Sequence, residues 1–245
     1  MLEARGLHMR FGDLVVLEDI TLGFPEGRLS GIMGPNGAGK TTCFNVLTGR
    51  YKPVRGSITL RGEDITGLAP HAIARKGVSR SFQLMNLFNE FSAEENVLVA
   101  LPDMRRRGFD MLSRRGSDAT VRGRARQALD RVGLADKADM PARDLSYGER
   151  RALEIAVALA TEPSVLFLDE PTSGLGTDGT ERLAELIGRL KGQLTMVMIE
   201  HDMAFLFGLA DRIAVIHWGQ VIAQGTPEEL RRNPWVENSN LGKLR

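Results

Sequence analysis

The stretch that most restricts this chain is Gly34-Pro-Asn-Gly-Ala-Gly-Lys-Thr41. An apolar run, "RLSGIM", leads into it as a strand, and "TCFNVLTG" after it reads as a short helix stopped by Gly49. Strand, glycine-rich turn and helix in that order aim several backbone N–H groups and a helix N-terminus at one anion. The G-x-x-x-x-G-K-[ST] spacing places Lys40 to reach the β- and γ-phosphates of a nucleotide and the Thr41 hydroxyl to ligate Mg²⁺. The candidate nucleotide-binding loop is therefore Gly34, Pro35, Asn36, Gly37, Ala38, Gly39, Lys40, Thr41 and Thr42. A loop of this kind needs a sheet behind it and helices around it, which points to an α/β fold.

A second signal lies far downstream. "SVLFLDEP" is an apolar run ending in two acids. A buried strand ends this way when its C-terminal edge faces a ligand, the usual position in a doubly wound sheet. Asp169 would then hold Mg²⁺, directly or through water. Glu170, one residue on, would polarise an attacking water as general base.

The rest of the chain fits an α/β core with an insertion. Up to about residue 80 it reads as strands and tight turns: "LVVLEDITLGF", a turn at "PEG", and "GSITLRGEDI" as another hairpin arm. From about Leu84 the period becomes helical, in "AEENVLVAL" and "VRGRARQALDRVGL", and strand signals lapse until "SVLFLD". The insertion is expected over roughly 84–162. β-rich runs return as "LTMVMIEH" and "RIAVIHWGQVIAQG", with helical "TERLAELIGRLKG" ahead of them. The tail, 226–245, opens on a helix start with Thr226 as cap, Pro227 in the first turn and Glu229 closing a capping box.

A net charge of +1 gives no global field toward nucleic acid, and the one strong charge run, "MRRRGFDMLSRRGSDATVRGRAR", lacks interleaved aromatics for base stacking. That run reads either as a solvated connection or as a contact with lipid headgroups or a partner. The single Cys43 excludes an intramolecular disulfide, and no apolar run approaches the roughly 18 residues of a membrane helix. These features are those of a cytoplasmic protein whose membrane role, if any, needs partner chains. "LSYGER", Leu145 to Arg150, is a capping box by the spacing of Ser146 and Glu149, or half of a site whose anion another chain carries.

As a series, the phosphate loop, Gln83 in "RSFQ", "LSYGE", "LFLDEP" and His201 in "IEHD" resemble the ATP-binding-cassette ATPases over essentially the whole chain. The resemblance implies a P-loop NTPase core with a mixed, mainly parallel sheet, an N-terminal antiparallel β subdomain and an inserted helical subdomain. It implies ATP and Mg²⁺, hydrolysis of ATP coupled to transport, and a head-to-tail dimer, either homodimeric or with a related ATPase. Phe11 matches the aromatic that stacks on adenine, Gln83 the glutamine that touches Mg²⁺, and His201 the switch histidine that contacts the γ-phosphate. Leu145, Ser146, Tyr147, Gly148 and Glu149 match the signature that faces the partner's nucleotide. Two membrane permease subunits and, indirectly, an extracytoplasmic solute-binding protein complete the implied assembly, with the ATPase on the inner face of the membrane.

Within the family, "GVSRSFQLMNLFNEFSAEENVLVA", Tyr147, "SGLG" and "NPWVENSNLG" resemble ATPases of branched-chain amino acid importers. Urea, amide and aromatic-acid importers and the lipopolysaccharide exporter have similar ATPases. Gly176 stands where many members carry an Asp. A kinase or GTPase on the same loop would not explain "LSYGE", and no N-K-x-D guanine-reading motif is present. Non-transport cassette proteins commonly carry paired cassettes or zinc ligands, whereas this chain has one cassette and one cysteine.

Overall fold

The computed structural model of the protein describes residues 1–81, 87–102, 119–234 and 236. The N-terminal part contains β1 (Leu2–Phe11), β2 (Leu14–Phe24), β3 (Leu29–Met33), α1 (Lys40–Leu47), β4 (Arg55–Leu60), β5 (Glu63–Asp64), α2 (Pro70–Arg75) and β6 (Val78–Arg80). Three helices follow, α3 (Ala93–Ala100), α4 (Ala119–Arg131) and α5 (Tyr147–Leu159). The C-terminal part contains β7 (Val165–Asp169), α6 (Thr177–Leu190), β8 (Thr195–Ile199), α7 (Met203–Leu209), β9 (Arg212–His217), β10 (Gln220–Gly225) and α8 (Pro227–Arg231).

Two sheets form among the described residues. One is antiparallel, in the order β2-β1-β4-β5; the other runs β10-β9-β3-β8-β7-β6 and is parallel except for the β9–β10 hairpin. β3, β7 and β8 are buried at every position. Their near-continuous apolar runs suit strands covered on both faces. Alternation then divides each strand between two cores. Leu29, Met33, Leu166, Leu168, Met196 and Met198 face a core shared with α3 to α7, whereas Ile32, Val165, Phe167, Val197 and Ile199 face one shared with α1 and the antiparallel sheet. The expected architecture is the one found. The parallel order also carries the consequence that matters: β3, β8 and β7 are neighbours, so their C-terminal ends lie side by side.

The three helices after β6 pack on one another. Of the expected caps, Ser146 with Glu149 on α5 and Thr226 with Glu229 on α8 form complete capping boxes, and Ser92 with Glu95 forms a third on α3. Reading the first eighty residues as strands and turns missed α2, although Pro70 at its start and Gly77 just beyond its end are helix punctuation. Gly176 is the N-cap of α6 and supplies no side-chain cap. Cys43 is buried in the second core and its thiol is pushed up to about 12 by burial, so it is a packing residue rather than a nucleophile. Most of the arginine-rich run and the end of the tail lie outside the described residues.

Candidate nucleotide site

The phosphate loop joins β3 to α1 at the C-terminal edge of the parallel sheet. Gly34 is obligatory for a steric reason: a Cβ there would lie 2.0 Å from the carbonyl oxygen of Ile216. Gly39, the N-cap of α1, sits at φ +99, where a side chain is strained. That N-cap has no side-chain hydrogen bond, so the first-turn N–H groups of α1 are left for an incoming anion. Asn36, Gly37 and Thr41 are exposed, and Ala38 is tied to the sheet by the Gly219 amide at 3.0 Å. Lys40 is buried and folds back, its Nζ donating to the carbonyls of Gly34 (2.8 Å) and Pro35 (2.9 Å). Burial pushes the Lys40 ammonium below its ordinary pKa, and the nearby Glu170 carboxylate pulls it back up.

The strand order brings the acids to the same edge. Ile32 of β3 and Asp169 of β7 both pair with Ile199 of β8, so the three chains leave the sheet abreast. One residue later the Glu170 amide donates to the Ile199 carbonyl at 3.0 Å. His201 Nδ1 lies 3.4 Å from Glu170 Oε1. Lys40, Asp169, Glu170 and His201 thus converge at one edge, although 161 residues of sequence separate the first from the last of them. Gln83 lies outside the described residues. Phe11, at the end of β1, is 44% exposed and meets the Tyr51 ring edge-on at a centroid distance of 5.2 Å.

The signature is elsewhere. Ser146 and Tyr147 are exposed at the N-terminus of α5, Leu145 is buried in the helical core, and Gly148 and Glu149 are half-buried. Lys137 binds Glu149 and holds its carboxyl below the ordinary range. Among the described residues no hydrogen bond or ion pair joins 145–149 to the phosphate loop.

Three residues that sequence reasoning missed hold the edge together. Arg80 on β6 binds Asp169 Oδ2 at 2.6 Å and Asn45 Oδ1 of α1 at 2.7 Å, with its guanidinium over the Phe44 ring. Glu200, 1% exposed, accepts from the amide and hydroxyl of Thr172 through Oε1 and from the His201 amide through Oε2. Arg151 of α5 donates to the carbonyls of Glu170 and Pro171. A charged residue inside an apolar strand or helix face was the available signal: "RSF" after a strand, "IEH" at the end of one, and an Arg among the core residues of "RALEIAVALA".

Comparison with known proteins agrees with this arrangement. Residues 17–173 match the family described as ABC transporter. The chain is 44% identical over 250 residues to the high-affinity branched-chain amino acid transport ATP-binding protein LivG of Salmonella typhimurium, covering 99% of this chain and 98% of the relative. It is 43% identical over 252 residues to BraF of Pseudomonas aeruginosa, described in the same terms, with the same coverage. Its fold is similar to the ADP conformation of MJ1267, an ATP-binding cassette of an ABC transporter, with a TM-score of 0.87, 26% identity and 99% of each chain covered. The dimeric structure of MJ0796, a bacterial ABC transporter cassette, is similar at a TM-score of 0.76 and 25% identity, with 93% of this chain and 99% of that chain covered. The phosphate loop, the acids at the strand ends and these likenesses lead to one conclusion: the chain belongs to the ABC transporter family, as an ATP-binding, ATP-hydrolysing subunit.

Proposed function

We propose that this ATPase powers import of a small polar solute, branched-chain or other amino acids first, through two separate permease subunits, with an extracytoplasmic solute-binding protein upstream. Full-length similarity to LivG and BraF supports this reading. Methionine-import ATPases such as MetN 1 of Rhodopseudomonas palustris are 37% identical, and this chain spans 58% of that relative's length. No helix among the described residues is long and apolar enough to cross a membrane, which fits a cytoplasmic subunit docked on the inner face of its permeases. With a helical subdomain over roughly 84–162 and a helical tail over 226–245, the permeases feel the ATPase move through the stretch near Gln83 to Glu94.

The residue roles follow the converging edge, and the contact between Glu170 and His201 beside Lys40 is the observation that carries them. The Gly34–Thr42 loop binds the phosphates, Lys40 neutralises the β- and γ-phosphates, Phe11 stacks on adenine, Glu170 accepts a proton from the attacking water, and His201 contacts the γ-phosphate. Thr41, Asp169 and Gln83 would hold Mg²⁺. The donors fit: they are the oxygens such a cation prefers, and Asp169 is buried at the strand end with Arg80 fixing its Oδ2. When bound, the ion offsets charge on the phosphates.

Two copies, or this chain and a related ATPase, pair head to tail, each nucleotide facing the Ser146–Gly148 end of the other subunit's α5. A helix N-terminus, with its partial positive charge, is a suitable partner for a γ-phosphate. Mixing a Lys40→Ala chain with a Gly148→Asp chain tests this. Each variant alone has no intact site, while a mixed dimer has one, so activity should reappear on mixing at roughly half the wild-type rate per mixed dimer, about a quarter over all dimers of an equal mixture, since one of two sites is intact. Normal hydrolysis by Gly148→Asp alone refutes the trans role. For the solute, permeases reconstituted with the ATPase should raise its turnover when the binding protein carries leucine, isoleucine or valine. Stimulation by urea or an amide instead moves the protein to another importer class.

A further inference from the structure

The short segment after the acid pair turns on its own backbone bonds, Ser173 N–H to the Glu170 carbonyl and Leu175 N–H to the Thr172 carbonyl, both 3.0 Å, and side chains from outside it add further bonds. Glu170 sits at φ +45, a left-handed conformation that is unfavourable for a non-glycine residue. It persists only if its surroundings fix it. Arg151, 1% exposed, is the largest fully buried side chain described. Its Nη2 donates to the Glu170 carbonyl at 2.9 Å, its Nε to the Pro171 carbonyl at 3.1 Å, and its Nη1 to Glu154 Oε2 at 2.7 Å. Four residues earlier, and so on the same face of α5, Tyr147 donates its phenol to the Ser173 carbonyl at 2.9 Å. Next in the chain is Gly174 at φ +78, where a Cβ would come within 2.6 Å of the Tyr147 oxygen. Glu200, just beyond β8, binds the amide and hydroxyl of Thr172.

We propose that Arg151 and Tyr147 are positioning residues for Glu170: the signature helix clamps, within its own chain, the base that acts on its own nucleotide. This rests on the proposed roles of Glu170 as base and of the α5 N-terminus as a trans contact. One rigid helix then meets the partner's nucleotide at its first turn and sets its own chain's base one turn further on. A shift of α5 when it engages one nucleotide moves the guanidinium that holds the other site's base. Tyr147 has a purpose in this scheme, because its phenol is the group that reaches Ser173.

A buried Arg–Glu pair also occurs as plain scaffolding, and the mixed dimer separates the two roles. In the pair of Lys40→Ala and Gly148→Asp chains, the intact site uses the Gly148→Asp chain's Glu170 and the Lys40→Ala chain's Ser146. Adding Arg151→Met to the Gly148→Asp chain should lower kcat roughly 30- to 100-fold, the scale of a misplaced catalytic group, with KM for ATP within about twofold. Adding it to the Lys40→Ala chain should cost less than about threefold, since the base it serves there is already idle. Equal losses in both placements, or no loss in either, overturn the proposal. If Arg151→Met does not fold, as a thermal melt will show, Tyr147→Phe decides, because that ring is 47% exposed. Losing its one hydrogen bond should lower kcat about fivefold when placed with the working base, and an unchanged kcat overturns the clamp. If the unmodified mixture is inactive, the trans reading fails by itself. Homodimers then decide: a loss of kcat at constant KM in Arg151→Met sustains the clamp, and kcat within twofold of wild type overturns it.

Discussion

Glu170→Gln is expected to lower ATP turnover by at least about 100-fold while leaving ATP affinity nearly unchanged, because a general base typically contributes 10²–10⁴-fold. Gln keeps the size of the side chain and the backbone bonds that hold the residue, to Ile199 on one side and Arg151 on the other. It removes the proton acceptor and the charge that faces His201 and Lys40. With hydrolysis blocked and binding intact, the ATP-bound dimer should accumulate, since in the proposed arrangement the nucleotide would bridge both subunits in only one state. Sedimentation with ATP present reads the dimer, and phosphate release reads the turnover. Near-normal turnover in this variant rules out Glu170 as the base.

Lys40→Ala should act on binding. Its ammonium is buried within the loop and donates to the Gly34 and Pro35 carbonyls. In the proposed ATP complex the same group would meet the terminal phosphates. Truncating one member of a buried, hydrogen-bonded charge pair costs about 2–5 kcal/mol, so the Kd for ATP should rise roughly 30-fold or more. Isothermal titration with ATP measures the change, and circular dichroism with a thermal melt shows whether the loop's two freed carbonyls disturb the fold. An unchanged Kd in a folded Lys40→Ala chain would remove Lys40 from the binding site and with it the central role of the loop.

The motifs legible in the chain are those whose chemistry is local. The Gly34–Thr41 loop works through its own backbone, so its spacing was sufficient to find it. The capping boxes at Ser146 and Thr226 depend on residues three apart, and both are present. The acid pair, by itself an ordinary acidic exit from a strand, was readable because the same chain carries a phosphate loop. Phe11, Gln83, His201 and the signature had no local uniqueness: an aromatic at a strand end, a glutamine or a histidine has too many ordinary uses. They gained meaning only from resemblance of the whole ordered series.

By itself the sequence determined an α/β chain with a phosphate loop, an acidic strand end and an interposed helical stretch, because periodicity and turn chemistry act over a few residues. Only the tertiary structure decided which groups share an edge. The order β3-β8-β7 sets Glu170 beside His201 and within the field of Lys40. It also shows how the edge is held. Arg80 reaches 89 positions along the chain to Asp169, Glu200 reaches 28 back to Thr172, and Arg151 reaches 19 forward to Glu170. In each case one partner of the bond is a backbone group or a carboxylate brought near by sheet pairing and helix packing. Such a contact leaves no spacing in the sequence, because its geometry exists only once the sheet has formed.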